Sequence, residues 1–214
     1  MKINKLIIDS THSTTELCNL GVKYPTDKSP YNKDSGLHKH AYTSIYNFLF
    51  SNIRWNTLKI GELGILDNNS MLSWREYFPN AELYGFEWFD NRLQKAINDG
   101  LKDTTYIKMD VTNPESITKG LSGCGMFDVL IDDSTHVFKD QITFINAAYK
   151  YLKPGGILII EDIFLSESEN RYAKELEHLT EYFSSMTFVE ANHVLKHSPG
   201  WNNDKLLILH RNNK

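Results

Sequence analysis

The segment Phe127-Asp-Val-Leu-Ile-Asp-Asp-Ser-Thr-His136 constrains the fold most, because a nearly continuous apolar run ends abruptly in two carboxylates and an imidazole. Such a run suits a strand covered on both faces, as in a parallel sheet flanked by helices. Gly156-Ile-Leu-Ile-Ile-Glu-Asp162 repeats the pattern about one helix later. Two such strands side by side would deliver acidic groups to one rim of a sheet, and the carboxyl rim of an open α/β sheet is where ligands bind.

Strand and helix patterns alternate from about Thr57 onward. Strands are expected at Leu58 to Leu63, Glu82 to Glu87, Tyr106 to Met109, Phe127 to Ile131 and Ile157 to Ile160. Asn113-Pro114-Glu115 reads as a helix start, with a side-chain cap, a proline in the first turn and an acid beside the positive helix end. Tyr172, Leu176, Leu179 and Phe183 have the spacing of one further helix. Phe188 to Val194 and Leu206 to His210 read as two strands joined by a reversal, antiparallel at the sheet edge. The expected fold is therefore α/β, a Rossmann-like, seven-stranded and mostly parallel sheet with an antiparallel C-terminal edge strand and helices on both faces. Residues 1–56 form an N-terminal helical extension, and residues 57–214 the main domain. In the extension, Ser13 and Glu16 have capping-box spacing. A helix from about His38 to Ser51 should pack Ala41, Ile45, Phe48 and Leu49 on the sheet.

At 214 residues the chain suits one well-buried core. Its net charge of -4 gives no electrostatic reason to expect nucleic acid as a partner. Cys18 and Cys124 lie far apart without metal-ligand spacing, which fits a reducing compartment. The N-terminal apolar patch Leu6-Ile-Ile8 is cut short by Asp9, so neither a signal peptide nor a membrane span is read there, and a cytoplasmic protein is expected. A homo-oligomer is left open.

Strand one ends in Gly61-Glu-Leu-Gly64, before a polar turn Asp67-Asn-Asn-Ser70 and a helix whose first N–H groups are free to face a ligand. The glycine fingerprint of dinucleotide binders and the Gly-Lys-Ser/Thr of a P-loop are both missing. Glu87 ends strand two, where an acid can accept both hydroxyls of a ribose. Asp110 follows strand three, close enough to meet the edge of an adenine. His136 lies three residues past Asp133, and its ordinary pKa suits proton removal near neutrality. It is the first choice as general base, with Asp133 second. Lys28, His40 and Tyr42 lie in a segment expected to fold over the site as a substrate-facing lid, and His193, His197 and Trp201 near the terminal reversal would border it.

From about Thr26 to Leu209 the chain resembles the class I S-adenosylmethionine-dependent methyltransferases, in particular small metal-dependent O-methyltransferases of sugar and macrolide tailoring. The resemblance rests on Thr26-Asp-Lys28, His40-Ala-Tyr-Thr43 with Tyr46, Glu62-Leu-Gly64, Trp74-Arg-Glu-Tyr-Phe-Pro-Asn-Ala81 with Tyr84-Gly85, Asp132-Asp-Ser-Thr-His136, and Leu152-Lys-Pro-Gly-Gly156 with Ile160-Glu-Asp162. It implies that Glu62 and Gly64 hold the methionine part of the cofactor and Glu87 its ribose. Ser70, Trp88, Asp110, Val111 and Asp132 complete the expected cofactor site. Asp67-Asn-Asn69 after Gly64, and Glu87 where aspartate is commoner, depart from the family pattern.

The resemblance also implies a divalent metal, usually magnesium, for which the candidate ligands are Asp132, Asp133, Glu161 and Asp162. Adjacent strand residues point to opposite faces, so both members of a pair reach one ion only where the backbone has left strand geometry. One ligand is expected from the first pair and one or two from the second. The implied activity is methyl transfer to a hydroxyl of a sugar or glycosylated small molecule. Two alternatives are a non-catalytic module that binds the same cofactor and a nicotinamide-dependent oxidoreductase.

Overall fold

The computed structural model describes residues 2–33 and 38–213. In chain order, β1 (Lys2–Asp9), α1 (Glu16–Lys23) and α2 (Tyr42–Phe50) precede the alternating core. The core runs β2 (Lys59–Leu63), α3 (Asn69–Tyr77), β3 (Glu82–Glu87), α4 (Asp90–Asn98), β4 (Thr104–Lys108), α5 (Pro114–Ser122), β5 (Phe127–Asp132), α6 (Phe138–Ala148) and β6 (Leu152–Ile163). The chain continues through α7 (Glu169–Glu175), β7 (Phe183–Asn192) and β8 (Lys205–Arg211). All strands join one sheet in the order β1-β7-β8-β6-β5-β2-β3-β4.

Burial on both sheet faces follows from strand alternation. Leu158 and Ile160 of β6, with Leu207 and Leu209 of β8, pack among Ile117, Leu121, Phe144 and Tyr172 of α5, α6 and α7. Ile159, Leu206 and Ile208 point the other way, among Leu17, Ile45, Met71, Trp74 and Ala96 of α1 to α4. The expected cap of α5 is present, with the Asn113 side chain accepting from the amides of Glu115 and Ser116.

Five local readings are corrected. Among the described residues the sheet has eight strands rather than seven. The added β1 pairs parallel with β7, and its apolar residues are largely exposed, Leu6 by 49% and Ile7 by 65%. It therefore carries no clean in-and-out pattern. The antiparallel β8 is not an edge strand, since it lies between β6 and β7 and bonds antiparallel to both. Phe183 opens β7 instead of ending a helix; the helical spacing persists because Leu176, Leu179 and Phe183 all reach the same core. In the extension, Phe48 of α2 faces solvent at 79% exposure, and α1 is capped by Thr15, whose side chain accepts from the Cys18 amide.

The strand order reverses between β2 and β5, opening the crevice into which the ends of β2, β3, β5 and β6 project. The loop leaving β6 is tied down from below by Lys205, a fully buried lysine of β8. Its ammonium donates to the Glu167 carbonyl at 2.6 Å and to the Glu169 carboxylate at 3.2 Å. Lys205→Met should leave these acceptors unmatched and lower stability by about 1–3 kcal/mol. The check is a lower urea midpoint at unchanged slope.

Candidate active site

Gly64 and Asp133 follow the paired ends of β2 and β5, where the Asp133 amide donates to the Leu63 carbonyl at 2.9 Å. Gly64 has φ +80°, and a side chain there would collide with the Asp133 carbonyl. Its lack of a Cβ therefore allows the two strand exits to touch. Beyond them opens a cavity of about 660 Å³. Glu87 lines it and is only 4% exposed, with Oε1 accepting the amides of Trp88 and Phe89 at 2.9 Å each. Asp110 and Val111 line it beside Met109, and the Asp110 carboxylate is held by the Thr112 amide and hydroxyl. Ser70 and Trp88 line it as well. Asp133, Ser134 and His136 also line it, the first two against Gly64.

The rim behind this cavity buries several acids together. Glu161 is held by the Tyr46 hydroxyl at 2.5 Å and the Lys28 ammonium at 2.9 Å. Lys28 also bonds Asp133 and lies 3.5 Å from Glu62, whose other oxygen accepts from the Trp74 indole. Asp162 accepts the Tyr42 hydroxyl at 2.7 Å, and one of its oxygens lies 3.5 Å from His40 Nε2. The other ring nitrogen of His40 pairs with Asp204 at 3.0 Å. Burial pushes the Glu161 carboxyl up to about 7, with Lys28 offsetting part of the effect and Glu62 and Asp162 adding to it. Burial also raises Asp133 above the carboxylate range, although Lys28 opposes it. Burial disfavours a charge on Lys28 too, but Asp133, Glu161 and Glu62 outweigh it and hold the ammonium well above its ordinary value.

Adjacent residues of β6 both reach this rim because the chain leaves strand geometry there. Asp162 has φ +57°, and the β6–β8 register shifts between Ile160 and Ile163. His136 also has a positive φ, +58°. Its Nε2 lies 3.6 Å from an Asp162 oxygen, and its buried Nδ1 has no hydrogen-bond partner among the described residues. Burial lowers its pKa, with Asp162 opposing, so the imidazole is neutral at neutral pH. Asp133, His136 and Asp162 each bring one ligand atom into a group whose members all lie within 4.8 Å of one another.

The expected site residues thus divide by position. Gly64, Ser70, Glu87, Trp88, Asp110 and Val111 line the cavity, whereas Glu62 and Asp132 lie behind it. Of the four carboxylates considered for a metal, Asp133 and Asp162 meet in the three-residue group with His136. Glu161 turns to Lys28 and Tyr46, and Asp132 turns to the Ser134 hydroxyl at 2.5 Å. Burial pushes Asp132 up to about 7, with the bonds from Ser134 opposing. Lys28, His40 and Tyr42 reach the rim but are buried within it, and the same segment borders the cavity through Pro25, Thr26 and Asp27. Trp201 meets the His136 ring edge-on, with centroids 6.2 Å apart, while His193 pairs with Tyr31 and His197 bridges to Lys39. Sequence reading missed Asp204 and the Trp74 bond to Glu62. Both contacts join residues whose pairing no local pattern marks.

Two outcomes follow from this geometry. Gly64→Ala should separate the strand exits and lower stability by more than about 1 kcal/mol, read as a drop in melting temperature. His40 titrates at about 9 when folded, because Asp162 and the Asp204 bond outweigh the opposing burial, against 6.5 in the unfolded chain. Its contribution to stability is complete below pH 6.5 and is lost as the pH rises through about 9. His40→Gln should flatten the urea midpoint against pH across that window relative to the parent protein.

No protein-family model matches the chain. Among curated proteins it is 27% identical over 170 residues to L-olivosyl-oleandolide 3-O-methyltransferase of Streptomyces antibioticus, covering 76% of this chain and 41% of that protein. It is also 27% identical over 132 residues to mycinamicin VI 2''-O-methyltransferase of Micromonospora griseorubida, covering 58% and 32%. The chain thus spans less than half the length of these relatives. Among solved structures, MycE methyltransferase from the mycinamycin biosynthetic pathway in complex with Mg and SAH superposes with TM-score 0.70 at 21% identity, covering 93% of this chain and 55% of that one. Fibrillarin from Methanococcus jannaschii matches with TM-score 0.53 at 15% identity, covering 75% and 69%. In sequence the chain is similar to part of these O-methyltransferases, and in fold it is similar to the MycE methyltransferase.

Proposed function

We propose that the chain transfers a methyl group from S-adenosylmethionine to a hydroxyl of a sugar or glycosylated small molecule, with a divalent ion, magnesium by preference, assisting. The observation that carries this reading is one cavity lined by Gly64, Glu87 and Asp110 together with Asp133 and His136. Its volume of about 660 Å³ lies within the usual range for small-molecule sites.

Glu87, oriented by two main-chain amides, presents its carboxylate to a ribose diol. Gly64, whose missing side chain lets the exits of β2 and β5 touch, lines the cavity where the methionine portion would lie. Asp110 and Val111 line the cavity where the base would lie. The donor set also suits a hard divalent ion, because Asp133 and Asp162 offer oxygens within one small group. His136, a softer donor with an orphaned buried nitrogen, is better used as the base. When bound, the cofactor supplies a methyl carbon already activated on sulfonium, and the ion favours the ionised form of a ligated hydroxyl. The protein's own contribution is alignment of acceptor oxygen, methyl carbon and sulfur, together with removal of the hydroxyl proton to His136. His136 is neutral and shielded, with Trp201 against its edge and Asp162 near enough to stabilise the imidazolium that forms.

S-adenosylmethionine should raise the melting temperature, and magnesium with a sugar acceptor should be needed for turnover. His136→Ala should lower turnover by about 10²–10⁴-fold while leaving cofactor affinity nearly unchanged. Undiminished turnover would remove His136 from the mechanism, and absence of any cofactor-induced stabilisation would remove the reading as a whole.

A further inference from the structure

Lys28 lies in the middle of the rim, and the transfer chemistry gives it no task. Its side chain is 3% exposed, and its ammonium touches three carboxylates, bonding Asp133, lying 2.9 Å from Glu161 and 3.5 Å from Glu62. The main chain at this residue is pinned as well. Its carbonyl accepts the amides of Tyr42 and Thr43 at the start of α2, at 3.1 and 3.2 Å. The charge is therefore built into the core and does not hang from a loose loop.

Asp133 belongs to two sets at once. It pairs with Lys28, and it also contributes a ligand atom to the group it shares with His136 and Asp162. A divalent ion drawn to that group would meet a fixed positive charge already holding one of its ligands, in surroundings where water screens little. Glu161, the neighbouring hard donor, is likewise held by the same ammonium.

Building on the metal-assisted reading, we propose that Lys28 is an internal cation that competes with the divalent ion for Asp133 and Glu161 and so sets the chain's metal affinity. With Lys28 in place, the ion finds few free protein oxygens and is held weakly until an acceptor hydroxyl supplies another. Magnesium, which keeps open positions for water or substrate oxygens, suits such an arrangement. Lys28 acts here as a positioning residue through the carboxylates and does not touch the reacting atoms.

The test is direct Mn2+ binding, followed by electron paramagnetic resonance, to the parent protein and to Lys28→Met, with neither cofactor nor acceptor present. Lys28→Met should bind Mn2+ at least tenfold more tightly, and adding Glu161→Gln to that variant should abolish most of the gain. Equal or weaker binding by folded Lys28→Met overturns the competition while leaving the metal-assisted reading intact. No uptake by either protein removes both. If Lys28→Met does not fold alone, recovery of a cooperative melt in Mn2+ supports the proposal, and failure to recover with Mn2+ overturns it.

Discussion

Gathering Glu62, Glu161 and Asp162, all buried, with the half-buried Asp133 at one sheet rim is the constraint around which the rest of the structure is arranged. Carboxylates removed from water strongly disfavour their charge unless hydrogen bonds and opposite charges compensate. The N-terminal segment and α2 provide much of that compensation through Lys28, His40, Tyr42 and Tyr46. Asp204, just before β8 and itself paired with Lys196, then holds His40 and its charge from outside. The segment before β2 is consequently part of the site's electrostatics, and its aromatic side chains are part of the core, with Tyr42 and Tyr46 wholly buried. The same residues that hold the acids also join the helical layer to the sheet.

Much of the alternating core was legible because each strand is covered on both faces and each apolar run must be paired. Glu82–Glu87 matches its expected bounds, and the Asn113 cap sits where expected because its chemistry is local. The misreadings share a different origin. β1 joins the sheet through β7 and exposes Leu6 and Ile7, so its hydrophobicity does not report on the fold. The interior place of β8 depends on long-range pairing with β6 and β7, which no spacing within residues 205–211 can specify.

The acidic rim shows the same division between local and long-range information. The presence of acids at the strand ends was readable from the sequence, whereas the face each would choose was not. Asp132 still belongs to β5 and points back to Ser134, while Asp133 has left the strand and meets Lys28. Across the sheet, Glu161 and Asp162 both reach the rim because the left-handed turn at Asp162 breaks strict alternation. A non-glycine residue held at positive φ is strained unless its surroundings enforce it. Here Tyr42 and the nearby ring of His40 do so from one side, with the β6–β8 register shift on the other.

The two sides of His136 differ in chemistry, which bears on what an acceptor must look like. Toward Asp162 the surroundings are anionic and suited to hydroxyls or a cation. Toward Trp201 they are aromatic, and that indole stacks on Phe164 with centroids 5.6 Å apart. A pyranose has both kinds of surface, hydroxyls around its edge and C–H groups across its faces. An acceptor of that shape can place one hydroxyl among the acids and rest an apolar face on the aromatic shelf, whereas a purely apolar alcohol would leave the acids unmatched. The chemistry around His136 is thus consistent with the saccharide acceptor proposed above.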